Sequence, residues 1–184
     1  MDLTGKLLLA MPGMTDPRFE KSVIFMCAHS GDGAMGLIVN RPAQDITFLQ
    51  LLSQLSISAR GDVPVPQVHL GGPVEHGRGF VLHSDDYTGN DATLAVPGGF
   101  GMTATLDVLE DIAQGEGPAA CLLALGYSGW GPGQLEGEMT QNAWLVADAS
   151  SALIFDPDSD GKWAAALSAM GIDPVTLSGA AGRA

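Results

Sequence analysis

Short apolar runs separated by turn residues predict strands in the first forty residues of the chain. The run 6–11 ends at a Pro-Gly pair, and the run 22–28 is rich in residues that favour strands. A third run covers 35–40, and the segment 30–33 before it has the Ser-Gly-Asp-Gly sequence of a turn. The second and third runs are therefore predicted to form a β-hairpin.

Apolar residues at helical spacing predict four helices later in the chain. Thr47 can cap a helix that ends at Leu55, and Thr105 begins a second helix that Gly115 stops. A short helix is predicted over 134–139 and an amphipathic one over 162–170. The positions predicted to face inward are Phe48, Leu51, Leu52 and Leu55 in the first helix, Leu106, Leu109, Ile112 and Ala113 in the second, and Trp163, Leu167 and Met170 in the last.

Further strands are predicted between these helices. The segments 67–70, 79–83, 92–96 and 143–147 are short, contain β-formers and are bounded by turn residues. The segment 119–126 is apolar at every position, which predicts a central strand covered on both faces. Because hairpins and helices follow one another without a regular βαβ repeat, the predicted class is α+β.

The composition favours one globular domain over residues 1–184. The chain is 46% hydrophobic and 16% charged, which is too apolar for a disordered protein. No apolar run reaches the length of a membrane span, and the N-terminus has no signal-peptide pattern, so we expect no membrane association. Two cysteines are too few for a disulfide framework, and a cytoplasmic protein with reduced thiols is expected.

The charge balance argues against nucleic acid as a direct partner. Eight Lys and Arg residues stand against 21 Asp and Glu residues, giving a formal net charge of −13. Proteins that bind DNA or RNA gain affinity from clustered basic side chains that neutralise phosphates, and here the basic residues are scattered. We therefore expect a protein or a small molecule as partner.

Two patterns that resemble cofactor or metal motifs lack the necessary context. The segment 31–36 matches GxGxxG, but its last glycine leads into a strand, whereas a dinucleotide site needs a helix there. The histidines at 69, 76 and 83 recur every seven residues without an HExxH motif or paired cysteines. No cofactor and no metal site is predicted.

Cys27 and His29 are the candidates for catalytic chemistry. Residues two apart on a strand point to one face, which would bring the imidazole near the thiol. A cationic imidazole lowers the pKa of a neighbouring thiol and so creates a nucleophile or a redox sensor. The alternative is that Cys27 packs in the core as a small apolar side chain.

Six segments occur in an order that resembles a known family. They are AMPGMTDPRFEKSVIFMCAH, GAMGLIVNRP, LGGPV, RGFVLH, LGYSGWGPGQLEGE and NAWL. Together they resemble the bacterial AlgH/YqgE family over almost the whole chain. The resemblance implies a bent, mixed or antiparallel sheet of pseudo-barrel type flanked by several short helices. It implies no established reaction, since the family is chiefly uncharacterised and some members are labelled transcriptional regulators.

Several polar or amphipathic residues that match the family pattern lie at predicted strand ends and in loops, where binding groups usually converge. These ligand-binding candidates are Asn40, Arg78, His83, Tyr127, Trp130, Gln134 and Glu136. Arg78 could hold an anionic group through its fork of donors. An ion pair between Arg78 and a carboxylate such as Glu136 is the structural alternative.

Three hypotheses follow from the sequence. The first is a non-catalytic regulatory or accessory domain that binds a protein or a small molecule. The second is an enzyme or thiol-based redox sensor that uses Cys27 with His29. Direct transcriptional regulation through DNA is the third, and the family label favours it more than the residues do.

Overall fold

Within residues 1–88 and 91–180, nine strands pair into one curled sheet that forms a half-barrel. The computed structural model describes residues 1–88 and 91–180. The strands are β1 (Lys6–Ala10), β2 (Val23–Ser30), β3 (Gly33–Ile38), β4 (Val68–Leu70), β5 (Val74–Ser84), β6 (Thr93–Val96), β7 (Phe100–Thr103), β8 (Cys121–Trp130) and β9 (Trp144–Asp148). The predicted α+β class and bent sheet are confirmed. The predicted domain of residues 1–184 includes 89–90 and 181–184, which lie outside the described residues.

Six short helices surround the sheet in the described part of the chain. They are α1 (Phe48–Gln54), α2 (Leu106–Ala113), α3 (Gln134–Thr140), α4 (Ser151–Ile154), α5 (Lys162–Ala169) and α6 (Pro174–Ala180). Thr47 caps α1 as predicted, since its hydroxyl accepts the Gln50 N–H at 3.2 Å while the Gln50 side chain accepts the Thr47 N–H. Within 1–88 and 91–180, no helix is long and apolar enough to cross a membrane.

Strand β8 is the centre of the sheet. The strand order is β6-β7-β5-β8-β3-β2-β1-β9, and all of these pairs are antiparallel. The strand β4 pairs with β8 in parallel, with Val68 opposite Leu123. Along one side of β8 runs β5, and along the other side β4 is followed by β3. The predicted β2–β3 hairpin and the predicted central strand are both confirmed.

The two faces of the sheet carry different cores. We call the face that carries Phe25, Phe80 and Phe100 the inner face, and its core includes Trp163 and Leu167 of α5. The outer face is covered in two places. One outer core contains Phe48, Leu52, Val81, Val108, Ile112 and Leu123, beneath α1 and α2. The other contains Leu8, Ile24, Ile38, Trp130, Leu135 and Trp144, beneath α3.

Two irregularities change which face a side chain points to. The β2–β3 register shifts between Met26 and Ala28, so Cys27 forms a β-bulge. In β8, Gly126 adopts φ +74°, a left-handed conformation that favours glycine. Because of this residue, Ala124 and Tyr127 both contribute to the inner core although they are three positions apart.

The structure differs from the sequence predictions at a few elements. Strand β7 and helices α4 and α6 were not predicted. Leu55, Leu106 and Met170, which were predicted to face inward, are exposed. Val108 takes the buried place in α2 instead, so the buried stripe of that helix is Val108, Leu109, Ile112 and Ala113.

Helix α5 is held against the sheet by a buried lysine. Lys162 Nζ donates to the carbonyl oxygens of Val39 at 2.8 Å and Ile154 at 2.7 Å, and burial lowers its pKa to about 8. His69 of β4 is also buried and lies 3.0 Å from the Ser159 hydroxyl through Nε2. Burial and, to a lesser degree, the charge of Lys162 lower the pKa of His69 to about 4.

We expect His69 to make the folded state sensitive to acid. Between pH 6.5 and about 4 the unfolded chain binds a proton at His69 that the folded chain does not bind, so stability falls as the pH is lowered through this window. We therefore expect the free energy of unfolding, measured with urea at pH 6.5 and at pH 4, to fall less in His69→Gln than in wild type. The two decreases should differ by up to about 3 kcal/mol. The control is His76→Gln, since His76 is exposed on β5. Equal losses in wild type and His69→Gln would contradict this account.

Candidate functional site

An open cleft of about 860 Å³ lies on the inner face, between the edge strand β6 and the β2–β3 hairpin. Strands β3, β5, β7 and β8 each contribute one large side chain to its floor. These are Met35, Phe80, Met102 and Tyr127, and the rings of Phe80 and Tyr127 pack edge to face with centroids 5.8 Å apart. The cleft floor is therefore an open, apolar extension of the inner core.

Arg78 is the basic side chain at the rim of this cleft. It lies two residues before Phe80, in the part of β5 where the register with β8 shifts between Val74 and Gly79. Its guanidinium carbon is 5.0 Å from the centroid of the Phe80 ring. Its Nη1 is 3.5 Å from Glu75 Oε2, and the two side chains are 56% and 53% exposed. The structural alternative, an ion pair of Arg78 with a carboxylate, is thus present, but its partner is Glu75 and not Glu136, which pairs with His29. An exposed ion pair of this kind is weak, which leaves the guanidinium able to bind an anion.

His29 connects the N-terminal segment to α3. Its Nδ1 accepts the Leu3 N–H at 3.1 Å, so the ring proton is on Nε2, which lies 2.7 Å from Glu136 Oε1. A hydrogen bond from its own backbone amide and the bond from His29 lower the pKa of Glu136. Both ring nitrogens of His29 are thus already used in hydrogen bonds.

Cys27 and His29 do not share a face of β2. Cys27 packs in the inner core, whereas His29 is paired with Ala34, which packs against the outer core beneath α3. The β-bulge at Cys27 interrupts the alternation on which the sequence prediction depended. Burial raises the pKa of the Cys27 thiol to about 12, the opposite direction from that of an activated nucleophile.

Glu138 was not among the residues predicted from the sequence, although it forms hydrogen bonds with two of them, Trp130 and Gln134. Its Oε2 accepts hydrogen bonds from the indole N–H of Trp130 at 2.9 Å and of Trp144 at 2.7 Å. Its Oε1 accepts a bond from Gln134 Nε2 at 3.2 Å, and Gln134 in turn accepts the Gly131 N–H. Gln134 and Glu138 therefore hold the end of β8 in place. The sequence signal was the position of Glu138, four residues after Gln134 in a predicted helix.

Two other candidates have structural roles away from the cleft. Asn40 accepts the Val23 N–H at 2.9 Å and donates to the Lys21 carbonyl at 2.8 Å, which fixes the end of β3 against the start of β2. His83 is fully buried and bonds to the Ser84 carbonyl and the Thr103 hydroxyl. Burial lowers the pKa of His83.

The cleft thus brings together five of the nine sequence candidates. Cys27, His29, Arg78, Tyr127 and Trp130 line it, while Asn40, His83, Gln134 and Glu136 do not. Of these five, Cys27 and Tyr127 contribute to the inner core, Arg78 packs over Phe80, and Trp130 contributes to the outer core. Within the described residues, no group of three His, Cys, Asp or Glu side chains is placed to hold a metal ion.

We expect both native thiols to react slowly with iodoacetamide at pH 7. Burial raises the pKa of Cys27 to about 12 and, together with a smaller effect of Asp86, that of Cys121 to about 11, so little thiolate forms. Peptide mass spectrometry should show equal Cys27 labelling rates in wild type and His29→Ala, and denatured protein, in which both thiols react, supplies the control. Rapid labelling of Cys27 that slows in His29→Ala would restore the thiol hypothesis.

The sequence matches one protein-family model over most of its length and several bacterial proteins over its whole length. A family model described as AlgH-like (DUF179) matches residues 7–175. A UPF0301 protein of Ruegeria pomeroyi is 61% identical over 185 residues, and one of Cereibacter sphaeroides is 59% identical over 184 residues. Each of these alignments covers 100% of both chains.

Solved structures show the same fold. The solution structure of the AlgH protein from Pseudomonas aeruginosa matches with a TM-score of 0.78 and 38% identity, and the match covers 97% of this chain and 94% of that one. A crystal structure of a Corynebacterium diphtheriae protein matches with a TM-score of 0.75 at 20% identity, over 95% of this chain and 91% of that chain. The second likeness concerns the fold alone. The family model, the close relatives and the AlgH structure together show that the chain belongs to the AlgH-like, UPF0301 family.

Proposed function

We propose that this protein is a non-catalytic regulatory or accessory domain that binds its partner in the inner-face cleft. The proposal rests on one observation, which is that the cleft has an apolar floor and a basic side chain at its rim. Met35, Phe80, Met102 and Tyr127 form the floor, and Arg78 lies beside it. Binding sites typically combine a mostly apolar concave surface with a few placed polar groups.

The chemistry of the cleft supports binding rather than turnover. A nucleophile needs a base within hydrogen-bond reach, or a lowered pKa. Burial raises the pKa of Cys27, and the two ring nitrogens of His29 bond to Leu3 and Glu136. The remaining large side chains of the floor are hydrocarbon, thioether or phenol groups, which suit contact with an apolar surface.

The partner that fits this cleft presents an apolar surface and an anionic group. Arg78 can donate two parallel hydrogen bonds to a carboxylate, a sulfonate or a phosphate. Met35 and Met102 can adapt their side chains to irregular apolar shapes. The acidic chain, with a net charge of −13, repels polyanions such as DNA, whereas a single anionic group next to an apolar surface can still be held locally by Arg78.

The anionic probe 1-anilinonaphthalene-8-sulfonate should bind this cleft, because it combines aromatic rings with one sulfonate. We expect Arg78→Gln to weaken the binding at least about threefold, as expected when a charged hydrogen bond at a partly exposed site is lost. A fluorescence titration measures the dissociation constant.

Arg60→Gln is the matched control. Arg60 is 57% exposed and lies 3.3 Å from Asp62, so it resembles Arg78 in exposure and in its weak ion pair but lies outside the cleft. Its substitution should leave the dissociation constant unchanged, and melting temperatures should verify that both variants fold. Equal binding by wild type and both variants would remove Arg78 from the proposed site.

A further inference from the structure

The edge strand β6 forms one wall of the cleft. Within the described residues, β7 is the strand hydrogen-bonded to β6, and the opposite edge of β6 has no partner strand. Leu94 and Ala95 of this edge line the cleft, and both are exposed. A free strand edge presents unpaired N–H and C=O groups, which can pair with another strand.

Two of the usual protections of a strand edge, a charged side chain and a proline, are missing within the short strand β6. Its sequence, Thr-Leu-Ala-Val, contains no charged side chain and no proline, and the first proline comes at Pro97, after the strand. Leu94, whose side chain is on the inner face opposite Met102, is 43% exposed. The edge that meets the apolar floor is therefore both unpaired and apolar.

We propose that the partner enters the cleft as an extended peptide segment that adds a strand to the free edge of β6. This inference rests on the proposed function of the cleft. β6 spans about 13 Å, enough to pair with four residues of a peptide. Strand addition of this kind obtains affinity from main-chain hydrogen bonds and specificity from pockets for alternate side chains.

The face alternation of β6 defines the chemistry of that peptide. A residue opposite Leu94 places its side chain on the inner face, where Met35, Phe80 and Met102 form the apolar floor. Arg78 is the basic side chain that lines the same cleft, from β5. The lining therefore favours a peptide with an apolar side chain opposite Leu94 and an acidic side chain, or a terminal carboxylate, elsewhere in the segment.

The test begins with a phage-displayed library of random linear peptides selected against the whole chain. We expect selected peptides to contain an apolar and an acidic group and to displace 1-anilinonaphthalene-8-sulfonate. A scan of one selected peptide with N-methylated backbone amides should show a period of two. Methylation of the residues whose N–H faces β6 should weaken binding at least about tenfold, while the residues between them should tolerate it.

Hydrogen exchange provides a second readout on the protein side. Binding of the selected peptide should slow exchange of backbone amides in β6, whereas the sulfonate probe should leave them unchanged. A peptide that displaces the probe without protecting β6, and without the alternating N-methyl pattern, would overturn strand addition and leave the cleft as a binding site. Binding of the sulfonate probe, combined with failure to select any peptide, would also overturn strand addition and leave the cleft as a binding site. Failure of both probe and peptides to bind would overturn the proposed function as well.

Discussion

The close contact between the Gly71-Gly72 backbone and β8 is the constraint on which the sheet depends. At this point β4 ends, and β3 pairs with the next part of β8 on the same side. Gly71 links the two strands to each other and to β8. Its N–H donates to the Leu125 carbonyl at 2.8 Å, and its carbonyl accepts the Ile38 N–H at 2.9 Å. A Cβ atom on Gly72 would lie 2.2 Å from the Tyr127 carbonyl oxygen, so a larger residue cannot be placed there without moving the backbone. Because of this contact, β3 and β5 lie on opposite sides of β8 near Tyr127. Each of the two strands contributes one side chain, Met35 or Phe80, to the floor of the cleft.

The curl of the sheet explains why one face carries both a core and the proposed binding surface. Near α5 the inner face is closed by Trp163, whose indole N–H donates to the Ala10 carbonyl at 2.9 Å. Toward the edge strand β6 that cover is absent within the described residues, and the same apolar face continues as the cleft. Arg78 covers part of this surface by packing over Phe80 while its charge remains at the rim. The proposed site therefore consists of the core pattern with one basic side chain added.

Most of the fold could be predicted from the sequence, because apolar periodicity and turn residues act locally. Strand β7 was missed, since its sequence, Phe-Gly-Met-Thr, follows two glycines and has one β-branched residue at its end. The site was harder to predict because it depends on which face each side chain occupies. The β-bulge at Cys27 separates it from His29, and no local pattern indicates that bulge. Likewise, the pairing of Glu136 with His29 joins residues 107 positions apart. The resemblance correctly implied the bent sheet, whereas the placement of Arg78 beside the apolar floor required the structure.

The most direct test of cleft binding is methyl NMR of the protein labelled at its methionine methyl groups, titrated with 1-anilinonaphthalene-8-sulfonate. Met35 and Met102 line the cleft, whereas Met26 belongs to the outer core and Met139 packs against it, so the four residues report on opposite faces of one sheet. The account predicts saturable shifts of the Met35 and Met102 signals, with those of Met26 and Met139 unchanged. Binding of the probe that shifts Met26 and Met139 while leaving Met35 and Met102 in place would contradict it.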